Sequence, residues 1–143
     1  KTARAKTREE LEAEEEAEHQ QAERERLAKE QAARDRVLLD TFTTEEDLIL
    51  TRDGKLNAID TRIAHTRQVT VGLEGQREEL EVQAANQERA GKAVSDELIA
   101  DIDSVGRQIS EQMAFIESRE QEKIELRTQF DADLLRYRQL KGN

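Results

Sequence analysis

His19 and His65 are the two histidines of this 143-residue chain, so they are the first candidates for metal binding or acid–base chemistry. His19 follows Glu18 and lies about one helical turn before Glu23, and imidazole and carboxylate groups at that spacing can ligate a metal. A zinc site, however, needs three or four ligands supported by outer hydrogen bonds. Such proximity is expected by chance in so acidic a segment. We therefore predict no metal site, and we place His65 on the flank of a helix.

The other reactive groups do not form a recognisable catalytic set. Carboxylates are spread along the chain, and no pair stands apart as an acid and a base in a pocket that could shift their pKa values. Gly72 and Gly75 lack the Lys-Ser/Thr sequel of a phosphate-binding loop. Short basic runs such as Arg34–Arg36 are offset by acids, as on a solvated helix face. The sequence predicts no enzyme, no cofactor and no catalytic residue.

The amino-acid composition indicates the class of protein and excludes several kinds of partner. Charged residues make up 39% of the chain and aromatic residues 3%, with no Pro, Cys or Trp. This composition is typical of long helices with a narrow apolar stripe, although low hydrophobicity with high charge also describes disorder. The formal net charge of −10 argues against nucleic acid and against an anionic membrane surface as partners. No apolar run approaches the roughly 20 residues of a membrane span, so we predict no direct membrane insertion.

Three segments of strong helix formers organise the chain. Residues 1–40 predict a charged helical arm with few large apolar side chains, and residues 41–44 interrupt it as a junction. Residues 45–140 predict a pair of helices joined by a turn at residues 90–95.

The ends of these helices carry capping signals. Thr43 and Glu46 have the spacing of a capping box and predict that Thr43 is the N-cap of the second helix. Gly91 is suited to a left-handed C-terminal cap. Ser95, followed by acids, is suited to the N-cap of the third helix.

Apolar periodicity favours folded helices over disorder. In the second helix two series with a seven-residue repeat predict a coiled-coil seam interrupted by polar residues. These series are Ile49, Leu56, Ile63, Thr70, Arg77 and Ala84, and Arg52, Ile59, Thr66, Leu73, Leu80 and Gln87. In the third helix the apolar residues step by three and four, and their phase slips near Arg119–Lys123, which predicts a stutter. This apolar set is Leu98, Ile102, Val105, Ile109, Met113, Ile116, Ile124, Leu126, Phe130, Leu134 and Tyr137.

Folding the chain about Gly91 tests whether these two seams match. A tight turn makes consecutive helices antiparallel and pairs positions whose numbers add to about 185. Leu80 then meets Val105, Ile63 lands near Ile124 and Leu56 meets Phe130. Apolar positions meet apolar positions almost throughout. The predicted fold is therefore all-α: an elongated antiparallel helical hairpin, a coiled coil, preceded by a long charged helical arm.

An apolar surplus near the junction predicts an interaction patch. The clusters on both sides of residues 41–44, together with the end of the third helix, exceed what one seam needs to bury. The predicted patch comprises Val37, Leu38, Leu39, Phe42, Leu48, Ile49, Phe130, Leu134 and Tyr137.

Three stretches also carry a resemblance to a known group of proteins. The segments Arg34–Leu48, Arg52–Leu56 and Phe130–Arg138 resemble the C-terminal part of uncharacterised proteobacterial envelope proteins. In those proteins a signal peptide and a short aromatic-rich domain of unknown function precede a charged helical tail. The resemblance covers most of the chain and supplies no catalytic or ligand residues. It implies export to the periplasm. The aromatic-rich domain is not part of this sequence, so a cytoplasmic location stays open.

These observations favour a non-catalytic structural or scaffolding module. Two partners fit this expectation: a second copy, with a dimer favoured, or another protein, because a two-helix hairpin buries only one seam. The alternative is the coiled-coil arm of a larger ATPase or filament-type protein, in which the hairpin transmits motion.

Overall fold

A computed structural model describes residues 4–142 and contains three helices in that range: α1 (Arg8–Thr41), α2 (Glu45–Arg89) and α3 (Asp96–Leu140). The all-α prediction is confirmed, and α2 and α3 pack against each other as a helical hairpin. Two compact units are distinguished: residues 4–47 with 133–142, and residues 48–132. The boundary between the units falls within α2 and α3, so each of these two helices is divided between the units, whereas α1 belongs wholly to the first.

The first helix, α1, is a solvated helix with no buried residue. Thr7 caps its N-terminus, because the Thr7 hydroxyl accepts a hydrogen bond of 3.1 Å from the backbone N–H of Glu10. The ion pairs described between residues 4 and 30 all join side chains within that stretch, as Arg26 does with Glu23 and Glu30. Exposed pairs of this kind contribute little stability. Helix propensity and the cap therefore account for this part of α1.

The junction cap differs from the sequence prediction by one residue. Thr44, and not Thr43, is the N-cap of α2, since its hydroxyl accepts a hydrogen bond of 3.1 Å from the N–H of Asp47. Asp47 also accepts a hydrogen bond of 3.3 Å from the N–H of Thr43, the residue before the cap. Thr43 and Thr44 precede acids three residues later in the same way, so the sequence alone did not separate the two registers.

The turn between α2 and α3 confirms both predicted caps. Gly91 has φ +76°, and its N–H donates to the carbonyl of Glu88 while the N–H of Lys92 donates to the carbonyl of Gln87. These two bonds form a Schellman motif, which favours glycine because other residues are strained in that conformation. Ser95 then caps α3 by accepting from the N–H of Leu98 at 3.3 Å.

The seam of α2 follows the predicted seven-residue repeat. Leu56, Ile59 and Ile63 are buried, and so are Thr66 and Thr70. The two threonine hydroxyls donate to the carbonyls of Arg62 and Thr66, each at 2.9 Å, so their burial leaves no donor unpaired. Toward the turn the seam residues Leu73 and Leu80 are only half-buried.

The seam of α3 has no stutter, which corrects the sequence prediction. Its buried and half-buried positions alternate by steps of four and three without a phase slip, and polar residues occupy three of them. The series is Leu98, Ile102, Val105, Ile109, Gln112, Ile116, Arg119, Lys123, Leu126 and Phe130. Met113 and Ile124, which we had placed in the seam, are exposed. The long stems of Arg119 and Lys123 occupy apolar positions, and the charged groups at their ends pair with Glu122 and Asp60.

Ion pairs between α2 and α3 report the antiparallel register within residues 48–132. Arg52 contacts Asp131 at 3.1 Å, Lys123 contacts Asp60 at 2.5 Å, and Arg67 contacts Glu120 at 3.4 Å. The paired numbers all lie close to the predicted sum of about 185, in agreement with a helical hairpin. The predicted pairing of Ile63 with Ile124 is wrong, because Ile124 faces solvent.

Alanine substitution of two isoleucines on α3 distinguishes the seam from the flank. Ile109 is 4% exposed and Ile124 is 60% exposed. Ile109→Ala is expected to lower the free energy of unfolding by about 3 kcal/mol, because it removes buried methyl groups and leaves a cavity. Ile124→Ala is expected to change it by less than about 0.5 kcal/mol. Chemical denaturation followed by circular dichroism measures both, and equal losses would contradict this seam.

Candidate interaction surface

The residues of the predicted interaction patch are mostly used inside the chain. Five are buried, and three more, Leu38, Leu39 and Ile49, are half-buried. Val37 is the one member that is exposed among the residues described. The largest side chains of the set are buried, so they stabilise the fold of this chain and are not available for contact with a partner. The five buried members are Phe42, Leu48, Phe130, Leu134 and Tyr137.

Within the unit of residues 4–47 and 133–142, polar contacts join the end of α1 to the end of α3. Arg136 donates two hydrogen bonds to Asp35, from Nε at 2.9 Å and from Nη2 at 2.7 Å. The Tyr137 hydroxyl, on a side chain that is 2% exposed, donates to the carbonyl of Phe42 at 3.1 Å. A two-pronged Arg–carboxylate pair restrains both distance and angle. These contacts hold the C-terminal turns of α1 beside α3.

The same pair changes the acidity of Asp35. Hydrogen bonding from Arg136 lowers the pKa of Asp35 from 3.8 to about 2, with desolvation opposing the change and Gln31 reinforcing it. Gln31 donates to Asp35 Oδ1 at 2.8 Å. A carboxylate with several donors is stabilised in its charged form, so the contact persists until the solution is strongly acidic.

An open apolar groove lies on one flank of the hairpin, within residues 48–132. It has a volume of about 370 Å³. Its apolar lining comes from Val71 on α2 and from Met113 and Ile116 on α3, with Arg67 and Glu74 at its edge. Val71 is 62% exposed and Met113 is 58% exposed. Large apolar side chains grouped around a groove are a feature of surfaces that bind other proteins.

The groove owes its position to the uninterrupted seam repeat. Since Gln112 and Ile116 occupy consecutive seam positions, Met113 follows the seam on the outer flank of α3. Val71 follows the seam residue Thr70 on α2 in the same way. A helix turns by about 100° per residue, so both side chains face the same flank in an antiparallel pair. Hydrophobicity alone assigns Met113 to the seam and hides this surface, whereas the strict repeat through Gln112 places Met113 on the flank.

The remaining candidate groups do not converge on a chemical site. His19 and His65 are both exposed on their helices. Among residues 4–142, no group of three or more His, Cys, Asp or Glu side chains is arranged to hold a metal ion. No helix in that range has an apolar stretch of the length that crosses a membrane.

Removal of the Asp35 carboxylate tests the contact between α1 and α3. Because its pKa is lowered from 3.8 to about 2, ionised Asp35 contributes stability above pH 4, and this contribution is lost as the pH falls toward 2. Asp35→Asn should therefore have a lower thermal unfolding midpoint than the parent chain at pH 6. At pH 2 the two midpoints should converge.

Asp40→Asn is the matched control, because Asp40 is an exposed carboxylate near the same end of α1. The control should track the parent chain at both pH values. A difference between Asp35→Asn and the parent chain that stays constant from pH 6 to pH 2 would contradict the Asp35–Arg136 contact.

Comparison with known proteins found no matching family model, no matching curated protein and no matching solved structure. The resemblance to proteobacterial envelope proteins, and the periplasmic location that it implies, therefore stay predictions.

Proposed function

We propose that this chain is a non-catalytic structural or scaffolding coiled-coil module that acts by self-association or by docking a protein partner. The observation that carries the proposal is the open groove lined by Val71, Met113 and Ile116 beside the α2–α3 seam. Covering apolar surface is favourable by about 25 cal/mol per Å². A second protein surface placed there would gain this free energy.

The hairpin itself suits such a role. A capped turn and cross-helix ion pairs hold α2 and α3 in one register, so the flank is presented on a preorganised scaffold. Preorganisation favours binding because less conformational entropy is lost when the partner arrives. The groove is open and shallow, which suits contact with another helix better than enclosure of a small substrate.

Serine substitution of the two most exposed groove residues tests the proposal. In the variant Val71→Ser with Met113→Ser, helicity should be unchanged, because neither side chain is buried. Light scattering on a sizing column, over a concentration series, measures whether the parent chain self-associates and whether the variant does so less. Affinity capture from the source cells measures whether a protein retained by the parent chain is lost by the variant.

Val82→Ser is the control, since Val82 is an exposed valine of α2 outside the groove. It should behave like the parent chain in both experiments. The proposal fails if two results are both found. The parent chain, the variant and the control would have the same solution mass at all concentrations, and all three would capture the same proteins.

A further inference from the structure

Acidic side chains surround the apolar groove. Within residues 67–81 of α2 and 113–120 of α3, five carboxylates and one cation directly follow seam residues on the groove side. We call this set the acidic flank: Glu74, Glu78, Glu81, Glu117 and Glu120, with Arg67. Two members of the acidic flank, Arg67 and Glu74, line the groove together with its apolar residues.

Internal ion pairs neutralise only part of the acidic flank. Arg67 contacts Glu120 at 3.4 Å, and the seam residue Arg77 contacts Glu81 at 3.8 Å. Among residues 4–142, the ion pairs described leave Glu74, Glu78 and Glu117 without a cation. Carboxylates beside an apolar strip attract cationic groups, and the attraction strengthens when water is displaced from the strip.

Ile124 is a second exposed apolar residue on the groove side of α3, separated from Met113 by two carboxylates. Met113 and Ile124 are both exposed and lie on the same face, linked by helical steps of four, three and four through Glu117 and Glu120. Eleven residues separate them, which corresponds to roughly 16 Å along a helix. This length matches about three turns of a partner helix with apolar residues at every third or fourth position. The flexible Met113 side chain can adapt to such residues.

A second copy of this chain does not supply the required charge. By sequence, acids outnumber bases in every helix: 12 to 6 in α1, 10 to 6 in α2 and 11 to 6 in α3. Taken over its whole length, none of these helices supplies an excess of cations to the acidic flank. The complementary occupant is a helix with Lys and Arg on both sides of an apolar stripe.

We propose that the groove and the acidic flank together bind a basic amphipathic helix of another protein. The proposal rests on the proposed function, and it specifies the chemistry of the partner. The apolar stripe of the partner covers Val71, Met113 and Ile124, and its basic residues pair with Glu74, Glu78 and Glu117. Apolar contact supplies most of the affinity, and charge selects the partner and its orientation.

Two labelled helical peptides serve as probes with the full chain. Both have about 18 residues, enough for five turns, with Leu along one face. One carries Lys and Arg beside the Leu stripe and the other carries Glu at the same positions. Fluorescence anisotropy measures binding at about 0.05 M and about 0.5 M salt, since added salt screens exposed charges. The basic peptide should bind at least about tenfold more tightly than the acidic one at low salt, and this preference should shrink at high salt.

Matched triple variants locate the site. Glu74→Gln, Glu78→Gln and Glu117→Gln together should weaken the basic peptide by about tenfold, because three partners of its cations are lost. Glu79→Gln, Glu111→Gln and Glu125→Gln remove the same charge from exposed positions of α2 and α3 outside the acidic flank. They should weaken binding of the basic peptide by less than about twofold at high salt, where general charge attraction is screened. Circular dichroism confirms that both variants stay helical.

Equal binding of the two peptides, or equal losses in the two triple variants, would overturn the proposal. So would the absence of binding by the basic peptide. If that peptide fails while Val71→Ser with Met113→Ser still alters self-association or captured partners, the proposed function stands and only the partner chemistry is wrong.

Discussion

The α2–α3 seam must hold two 45-residue helices in one register with a narrow stripe of apolar side chains. Apolar layers alone specify register weakly, because shifting by one heptad again places apolar residues together. Polar seam positions, such as Thr66 on α2 and Arg119 on α3, remove that degeneracy at some cost in stability. The cost is limited at Thr66, whose hydroxyl donates to its own helix. Arg119 retains a buried Nε without a partner among the described residues, while its guanidinium lies 4.9 Å from the Phe115 ring centre.

The surface of the hairpin follows from this repeat. Once Lys123 occupies the seam, the next residue, Ile124, must face outward, and Met113 is exposed for the same reason after Gln112. Polar residues in the seam therefore place apolar residues on the flank. This exchange produces an open apolar groove among carboxylates without disturbing helix formation. A scaffold that binds through such a flank keeps its own fold independent of its partner, since none of the groove's exposed side chains belongs to the buried core.

Much of the fold was accessible from sequence because its signals are local. The Schellman glycine Gly91, the cap Ser95 and the buried trio of Leu56, Ile59 and Ile63 were all identified, since caps and heptads depend on residues within a few turns. The surface was harder to predict from the sequence. Hydrophobicity assigned Met113 and Ile124 to the seam, whereas the residues directly before them, Gln112 and Lys123, hold those seam positions. Composition likewise cannot separate an apolar cluster that forms a core, such as Phe42 and Tyr137, from one that meets a partner.

Pairwise cross-linking measures which residues of α2 and α3 lie opposite each other, and therefore tests the register of the seam. The chain contains no Cys, so introduced pairs are the only reactive thiols. Asp60→Cys with Lys123→Cys should react rapidly with a short bis-maleimide, because those side chains meet across the hairpin. Asp60→Cys with Ile116→Cys, or with Phe130→Cys, should not, since each is displaced by one heptad, about 10 Å along the helix. Efficient cross-linking of a displaced pair, with none at 60 and 123, would contradict the register and the flank derived from it.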